Sequence, residues 1–145
     1  MSLTIDASVF VSAALPSEVQ FSNIGAFLNK IRLWPRVLHR PTLLVPETAA
    51  SLARCANNAG VGQNSVRWVT SFPGMNLISL DLARVLQAAR LAATYRMRGA
   101  DAVYVAVAQE IGTTLITWDA EMLSRGAQAV AVMTPSDWLA ANRTI

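Results

Sequence analysis

Residues 98–126 read RGADAVYVAVAQEIGTTLITWDAEMLSRG, and they set out one repeat of an alternating fold. Asp101 opens a helix that runs to about Ile111, and Gly112 ends it. Thr114 to Thr117 then reads as a strand, and Asp119 starts a short helix that stops near Gly126. Asp101 and Asp119 are eighteen residues apart, room for a helix, a turn and a strand.

Working outward, the same alternation continues in both directions. Toward the N-terminus, Leu3-Thr4-Ile5 predicts a short buried strand ending at Asp6, followed by helix from Ser8 to Ala14, stopped by Pro16. Ser17 would cap a helix whose apolar face is Phe21, Ile24, Phe27, Leu28 and Ile31, closed by Pro35. Pro41 to Val45 is extended and apolar. Pro46 suits the first turn of a helix through Glu47, Leu52 and Arg54, which closes at Asn57-Asn58-Ala59-Gly60. A helix across Asn64 to Ser71, a strand from Asn76 to Leu80 and a helix capped by Asp81 follow. The apolar face of that last helix is Leu82, Val85, Leu86, Ala89 and Ala93. Beyond residue 126, Ala129 to Met133 is a final strand and Pro135 begins a terminal helix. Strands alternating with helices predict an α/β domain with a mostly parallel sheet between helical layers.

Composition bounds the reading. The chain has 145 residues, the usual size of one domain, and is 53% hydrophobic and 14% charged, enough to bury a core. Apolar stretches are interrupted by Asp6, Asp101, Gln109 and Asp119, so no membrane span or secretory leader is expected. A lone cysteine, Cys55, cannot form an internal disulfide, which predicts a reducing, cytoplasmic setting and a small buried side chain. The formal net charge is +3, and eleven of the twelve basic residues are Arg. Forked guanidinium groups suit a phosphate-rich partner, although the charge alone does not demand one.

In an open parallel sheet, ligands bind beyond the carboxyl ends of the strands. Asp6 and Asp119 fall just past predicted strands, Asp101 at a helix start and Glu47 in a turn after an extended segment. Asp6 is the most informative, because a carboxylate between Ile5 and Ala7 costs several kcal/mol unless it is partnered or neutral. Taken singly, Asp81, Asp101 and Asp119 read as helix caps, Glu47 as a first-turn acid, and Glu18 and Glu110 as solvated charges. If Asp6, Glu47, Asp101 and Asp119 converge, their mutual repulsion calls for a cation, and no lysine neighbours any of them in sequence. Oxygen-only ligands favour Mg2+ or Mn2+, which can activate water and stabilise charge at phosphorus. Arg54, Arg96, Arg98 and Arg125 lie near these acids in sequence, either to hold phosphates or to form ion pairs, and Arg125 can also pair with Glu121 one helical turn away. His39, the only histidine, has no catalytic signature around it.

These motifs resemble the PIN domain, specifically the toxin nucleases of bacterial toxin–antitoxin pairs (the VapC type). The opening TIDASVFVSA is similar to the family's first motif, which assigns Asp6 as a metal ligand and Ser8 as its supporting hydroxyl. RPTLLVPETAASLAR is similar to its Pro-led segment, with Glu47 six residues after Pro41; starting instead from Pro46 would place Leu52 where the acid belongs. The stretch 98–126 resembles the Asp-led helix and the strand ending in Thr-x-Asp, giving Asp101, Asp119 and the supporting Thr117. Trp118, between Thr117 and Asp119, either stacks on a base or packs. The resemblance implies a single PIN-like three-layer α/β/α domain over residues 1–145. It also implies a Mg2+- or Mn2+-dependent endoribonuclease that leaves a 5′-phosphate, with an RNA substrate, a cognate antitoxin and a homodimer. Asp6, Glu47, Asp101 and Asp119 would be its catalytic, metal-binding acids. A catalytically silent PIN-like module that binds RNA or protein is the alternative. A response-regulator receiver fits less well, since it needs an acidic pair after the first strand and a late lysine, and the sole lysine is Lys30.

Overall fold

A computed structural model describes residues 2–15, 21–34 and 36–143. The predicted stops at Pro16 and Pro35, the Ser17 cap, Glu18 and the side chain of Phe21 lie outside the described residues.

Five short parallel strands form the sheet: β1 (Leu3–Ile5), β2 (Leu38–Pro41), β3 (Met75–Ile78), β4 (Thr114–Ile116) and β5 (Val132–Met133). Their order is β3-β2-β1-β4-β5. Helices flank the sheet: α1 (Ala7–Ala14), α2 (Phe21–Arg32), α3 (Leu44–Ala56), α4 (Ala59–Thr70), α5 (Leu82–Tyr95), α6 (Gly99–Ile111), α7 (Ala120–Ser124) and, after the last strand, α8 (Pro135–Ala141). From β1 the chain steps outward to β2 and β3, then returns to place β4 on the other side of β1. The connections therefore diverge between β1 and β4, the place where a parallel sheet leaves a crevice. Asp6 leaves the end of β1 at that point, and its amide extends the ladder by donating to the Ile116 carbonyl at 3.0 Å. None of the described helices is long and apolar enough to cross a membrane.

The core follows the predicted apolar faces in most elements. Leu3 and Ile5 of β1, Ile24, Phe27 and Ile31 of α2, and Leu115 and Ile116 of β4 are essentially inaccessible. Helix α6 is buried through its middle, from Asp101 to Ala108 with only Val103 half-buried, and packs against β1, β2 and β4. A helix apolar all round needs such a central position.

Five expectations need correction. The second strand is Leu38–Pro41, not 41–45, because α3 has already begun at Leu44. Arg40 disguised this strand: its side chain is fully buried, with the guanidinium carbon 4.1 Å from the Phe10 ring centroid and 5.4 Å from that of Phe72. Burial lowers the guanidinium pKa to about 9. The fourth helix, α4, starts at Ala59 rather than Asn64, since Asn58 caps it by accepting from the Gly60 amide at 2.8 Å. Gly60 and Gly62 are thus helical, and Gly62 lets α4 press on α3: a Cβ there would lie 2.4 Å from the Ala49 carbonyl oxygen. Third, α5 faces the other way. Ala88 and Leu91 are buried, whereas Leu82, Val85 and Leu86 are 73%, 45% and 49% exposed. Last, Cys55 is exposed, and the final strand is shortened to Val132–Met133 by a 3-10 turn at Gly126–Gln128.

Candidate active site

The end of β1 and the end of β4 meet through a small hydroxyl network. Thr117 Oγ1 donates to Asp6 Oδ2 at 2.9 Å and accepts from the Asp119 amide at 3.0 Å. Its one proton is thereby used, so Ser8 Oγ is the donor in its 3.3 Å contact with Thr117 Oγ1. Ser8 Oγ in turn accepts from the Trp118 amide at 3.0 Å, and the Ser8 amide donates to Asp6 Oδ2 at 3.2 Å. The two hydroxyls, Ser8 expected beside Asp6 and Thr117 expected beside Asp119, are in contact with each other, and Thr117 reaches Asp6 as well. Trp118 itself is half-buried and packs against the core.

Asp119 caps α7: its Oδ1 accepts from the Glu121 and Met122 amides at 2.9 and 3.0 Å, leaving Oδ2 to point elsewhere. Asp101 sits in the first turn of α6, and Glu47 in the first turn of α3, where Pro46 needs no amide partner. Asp6, Glu47, Asp101 and Asp119 all line one cavity of roughly 350 Å³, together with Ser8, Ser51 and Arg98. The fold therefore gathers the four acids from four separate elements at one end of the sheet.

Each acid has a partner, and one of them, Tyr104, was not among the candidates read from the sequence. Glu47 Oε2 accepts from the hydroxyl of Tyr104, a fully buried residue one turn along α6 from Asp101. Asp101 Oδ2 and Asp119 Oδ2 both accept from Arg98, at 2.7 and 2.5 Å. Arg98, rather than a lysine, supplies the positive charge beside these acids, forming the ion pair that was one of its two readings. Arg125 likewise pairs with Glu121 at 3.0 Å, as the helical spacing predicts. Arg54 lines a shallow hollow that shares Glu47 and Ser51 with the main cavity. Arg96 is an exposed residue ending α5. His39 stands apart on β2, half-buried, its Nδ1 3.1 Å from the Asn76 side chain.

The electrostatics follow from burial and crowding. Desolvation raises the pKa of Asp6 above the usual carboxylate value, against the opposing hydrogen bonds from Ser8 and Thr117. Glu47 is raised by burial and then by repulsion from Asp6 and Asp101, with the Tyr104 hydrogen bond opposing. Asp101 is raised by burial, with Arg98 opposing and Asp119 and Asp6 adding to the rise. Arg98 is held protonated by Asp101 and Asp119. Among the described residues no ammonium or guanidinium pairs with Asp6, and no three acidic, histidine or cysteine side chains form a ready ligand set for one ion. The reason is visible: Asp101 and Asp119 are turned toward Arg98, and Glu47 toward Tyr104. The donor chemistry nevertheless fits a hard divalent cation, since only oxygen ligands line the cavity and the buried carboxyl of Asp6 lacks a countercharge.

The profile of the PIN domain matches residues 3–127. A search of curated proteins finds no match. Among solved structures, Mycobacterium tuberculosis VapC20, described as a sarcin-ricin loop cleaving toxin, superposes with a TM-score of 0.73 at 13% identity, covering 89% of this chain and 96% of that one. VapBC2 from Rickettsia felis, bound to a DNA fragment from its promoter, gives 0.66 at 12% identity, with 92% and 98% coverage. A toxin–antitoxin complex from Klebsiella pneumoniae gives 0.62 at 16% identity, with 92% and 97% coverage. These likenesses are of fold, and the profile match carries the assignment: this chain belongs to the PIN domain family.

Proposed function

We propose that the chain is a Mg2+- or Mn2+-dependent endoribonuclease that cleaves RNA phosphodiester bonds, and the toxin of a toxin–antitoxin pair. One observation carries the reading: Asp6, Glu47, Asp101 and Asp119, distant in sequence, line a single cavity at the sheet's topological switch point. Membership of the PIN domain family and the toxins among its structural neighbours support it.

Asp6, Glu47, Asp101 and Asp119 would hold the ion. When bound, it supplies Lewis acidity at phosphorus and a nucleophile available at neutral pH. Ser8 and Thr117 keep Asp6 oriented, and Tyr104 does the same for Glu47. Of the arginines proposed for substrate, Arg54 is best placed along the Glu47 side of the cavity, and Arg98 stands at its edge. Arg125 is committed to Glu121 and to the Arg96 carbonyl, which makes it weaker than Arg54 and Arg98. The outward Leu82, Val85 and Leu86 of α5 offer an apolar face to a protein partner, either a second copy in a homodimer or the antitoxin. A cytoplasmic location belongs to the same reading.

The internal pairing of Asp101 and Asp119 with Arg98 favours the rival reading, a silent PIN module whose acids are permanently neutralised. The two separate in one assay, in which purified chain is incubated with a structured transcript in Mg2+ or Mn2+, and in EDTA. The nuclease reading expects ion-dependent cutting that falls by about 10³-fold in Asp6→Asn at unchanged circular dichroism. Cutting that persists in EDTA or in Asp6→Asn would overturn it, and no cutting in any condition supports the silent module.

A further inference from the structure

Arg98 reaches three carboxylates at once: Nε lies 2.7 Å from Asp101 Oδ2 and 3.4 Å from Glu121 Oε2, and Nη2 lies 2.5 Å from Asp119 Oδ2. Its guanidinium has no other partner among the described residues, and its side chain is 60% exposed. It caps the start of α6 through its backbone conformation alone, with no side-chain cap bond. Only the acids therefore hold the guanidinium, at the end of a long flexible stem facing solvent.

The acids it holds have few oxygens to spare. Asp119 Oδ1 is spent on the Glu121 and Met122 amides, so Oδ2 is the oxygen left for a ligand, and Arg98 occupies it. Asp101 gives Arg98 its Oδ2 as well. A divalent ion in the cavity must compete with Arg98 for these atoms. Glu121, outside the cavity lining, already touches Nε and offers the displaced guanidinium a place at the rim.

Building on the nuclease reading, we propose that Arg98 is an internal counterion that the divalent ion displaces, and that the released guanidinium then binds a phosphate of the RNA. In the ion-free protein it holds Asp101 and Asp119 in place across the open cavity. In the loaded protein the forked cation stands at the cavity edge, suited to a phosphate oxygen. Ion loading and substrate capture are thus coupled through one side chain.

The test is Arg98→Gln. Mn2+ binding, read from the electron paramagnetic resonance signal of the free ion, should tighten about tenfold, because the ion no longer displaces a cation. With Mn2+ saturating, the KM for RNA should rise about tenfold, because a phosphate contact is lost. A damaged fold would weaken both, so the opposite directions identify the exchange; thermal melting in EDTA confirms that the variant is folded. Mn2+ affinity unchanged or weaker in Arg98→Gln, or an unchanged KM, would overturn the proposal while leaving the nuclease reading intact. Absence of Mn2+ binding by the wild-type chain would instead remove the nuclease reading and this proposal with it.

Discussion

Thr117 Oγ1 donates to Asp6 Oδ2 at 2.9 Å, tying the ends of the neighbouring parallel strands β1 and β4 together at the site. A buried carboxylate with two oxygens and a free torsion needs such donors to hold one orientation. Thr117→Val keeps the shape and removes the hydroxyl. Cleavage should fall about 10- to 100-fold, while Thr117→Ser restores most of it. The stability loss in Thr117→Val should stay near 1–2 kcal/mol, measured by chemical denaturation. Equal activity in the Val and Ser variants would show that the hydroxyl does not position Asp6.

The buried acids also predict an unusual pH dependence of stability when the ion is chelated. Asp6, Glu47 and Asp101 all bind protons more tightly in the folded chain than their ordinary values. Between the ordinary carboxylate range, at about pH 4, and the raised folded values, the native state holds more protons than the unfolded chain. Their contribution is therefore fully present below about pH 4 and is lost as pH rises through that window. Melting temperatures in EDTA should show a downward contribution from this site as pH increases, and Asp6→Asn should flatten it. If wild type and Asp6→Asn show the same pH profile in EDTA, the carboxyl of Asp6 is not held in the way described.

Two helical glycines should respond oppositely to the same change. Gly62 has the Ala49 carbonyl 2.4 Å and the Ala53 Cβ 2.8 Å from where its own Cβ would stand, whereas Gly25 has nothing within 4 Å. Gly62→Ala should destabilise by about 1–3 kcal/mol as α4 is pushed off α3. Gly25→Ala should stabilise by about 0.5–1 kcal/mol by removing backbone freedom from the unfolded chain. Urea denaturation of the two variants measures both signs, and a stabilised Gly62→Ala would contradict the packing.

Much of this site was legible because its logic is local. Asp6, Asp101 and Asp119 are short acids beside strand ends and helix starts, and alternation of strands and helices already sends such positions to one edge of a sheet. Thr117 and Ser8 sit two residues from the acids they accompany, so spacing finds them too. Arg98 and Tyr104 were harder, since their contacts to Asp119 and Glu47 cross between elements and depend on how α6 lies over the sheet. The Arg98 position offered ion pair and phosphate contact equally, and the geometry shows the ion pair.

Errors in the fold have equally specific causes. Leu38–Pro41 contains His and Arg, which argue against a central strand until Arg40 is seen stacked against Phe10. Helix α5 has two candidate apolar stripes, and the richer one, through Leu82, Val85 and Leu86, faces outward. Periodicity reports that a helix has an apolar face but not what covers it. Gly60 read as a breaker, yet it lies within α4, and close contact between α3 and α4 requires a second glycine, Gly62, in the same helix.

The proposed chemistry requires Asp6, Glu47, Asp101 and Asp119 to act together on one ion. Mn2+ titration followed by electron paramagnetic resonance tests it most directly, comparing wild type with Asp6→Asn, Glu47→Gln, Asp101→Asn and Asp119→Asn. Saturable binding by the wild type, weakened about tenfold or more in each variant, is the predicted result. Wild-type affinity retained in any two of the four would contradict it, because those two acids would then take no part in holding the ion.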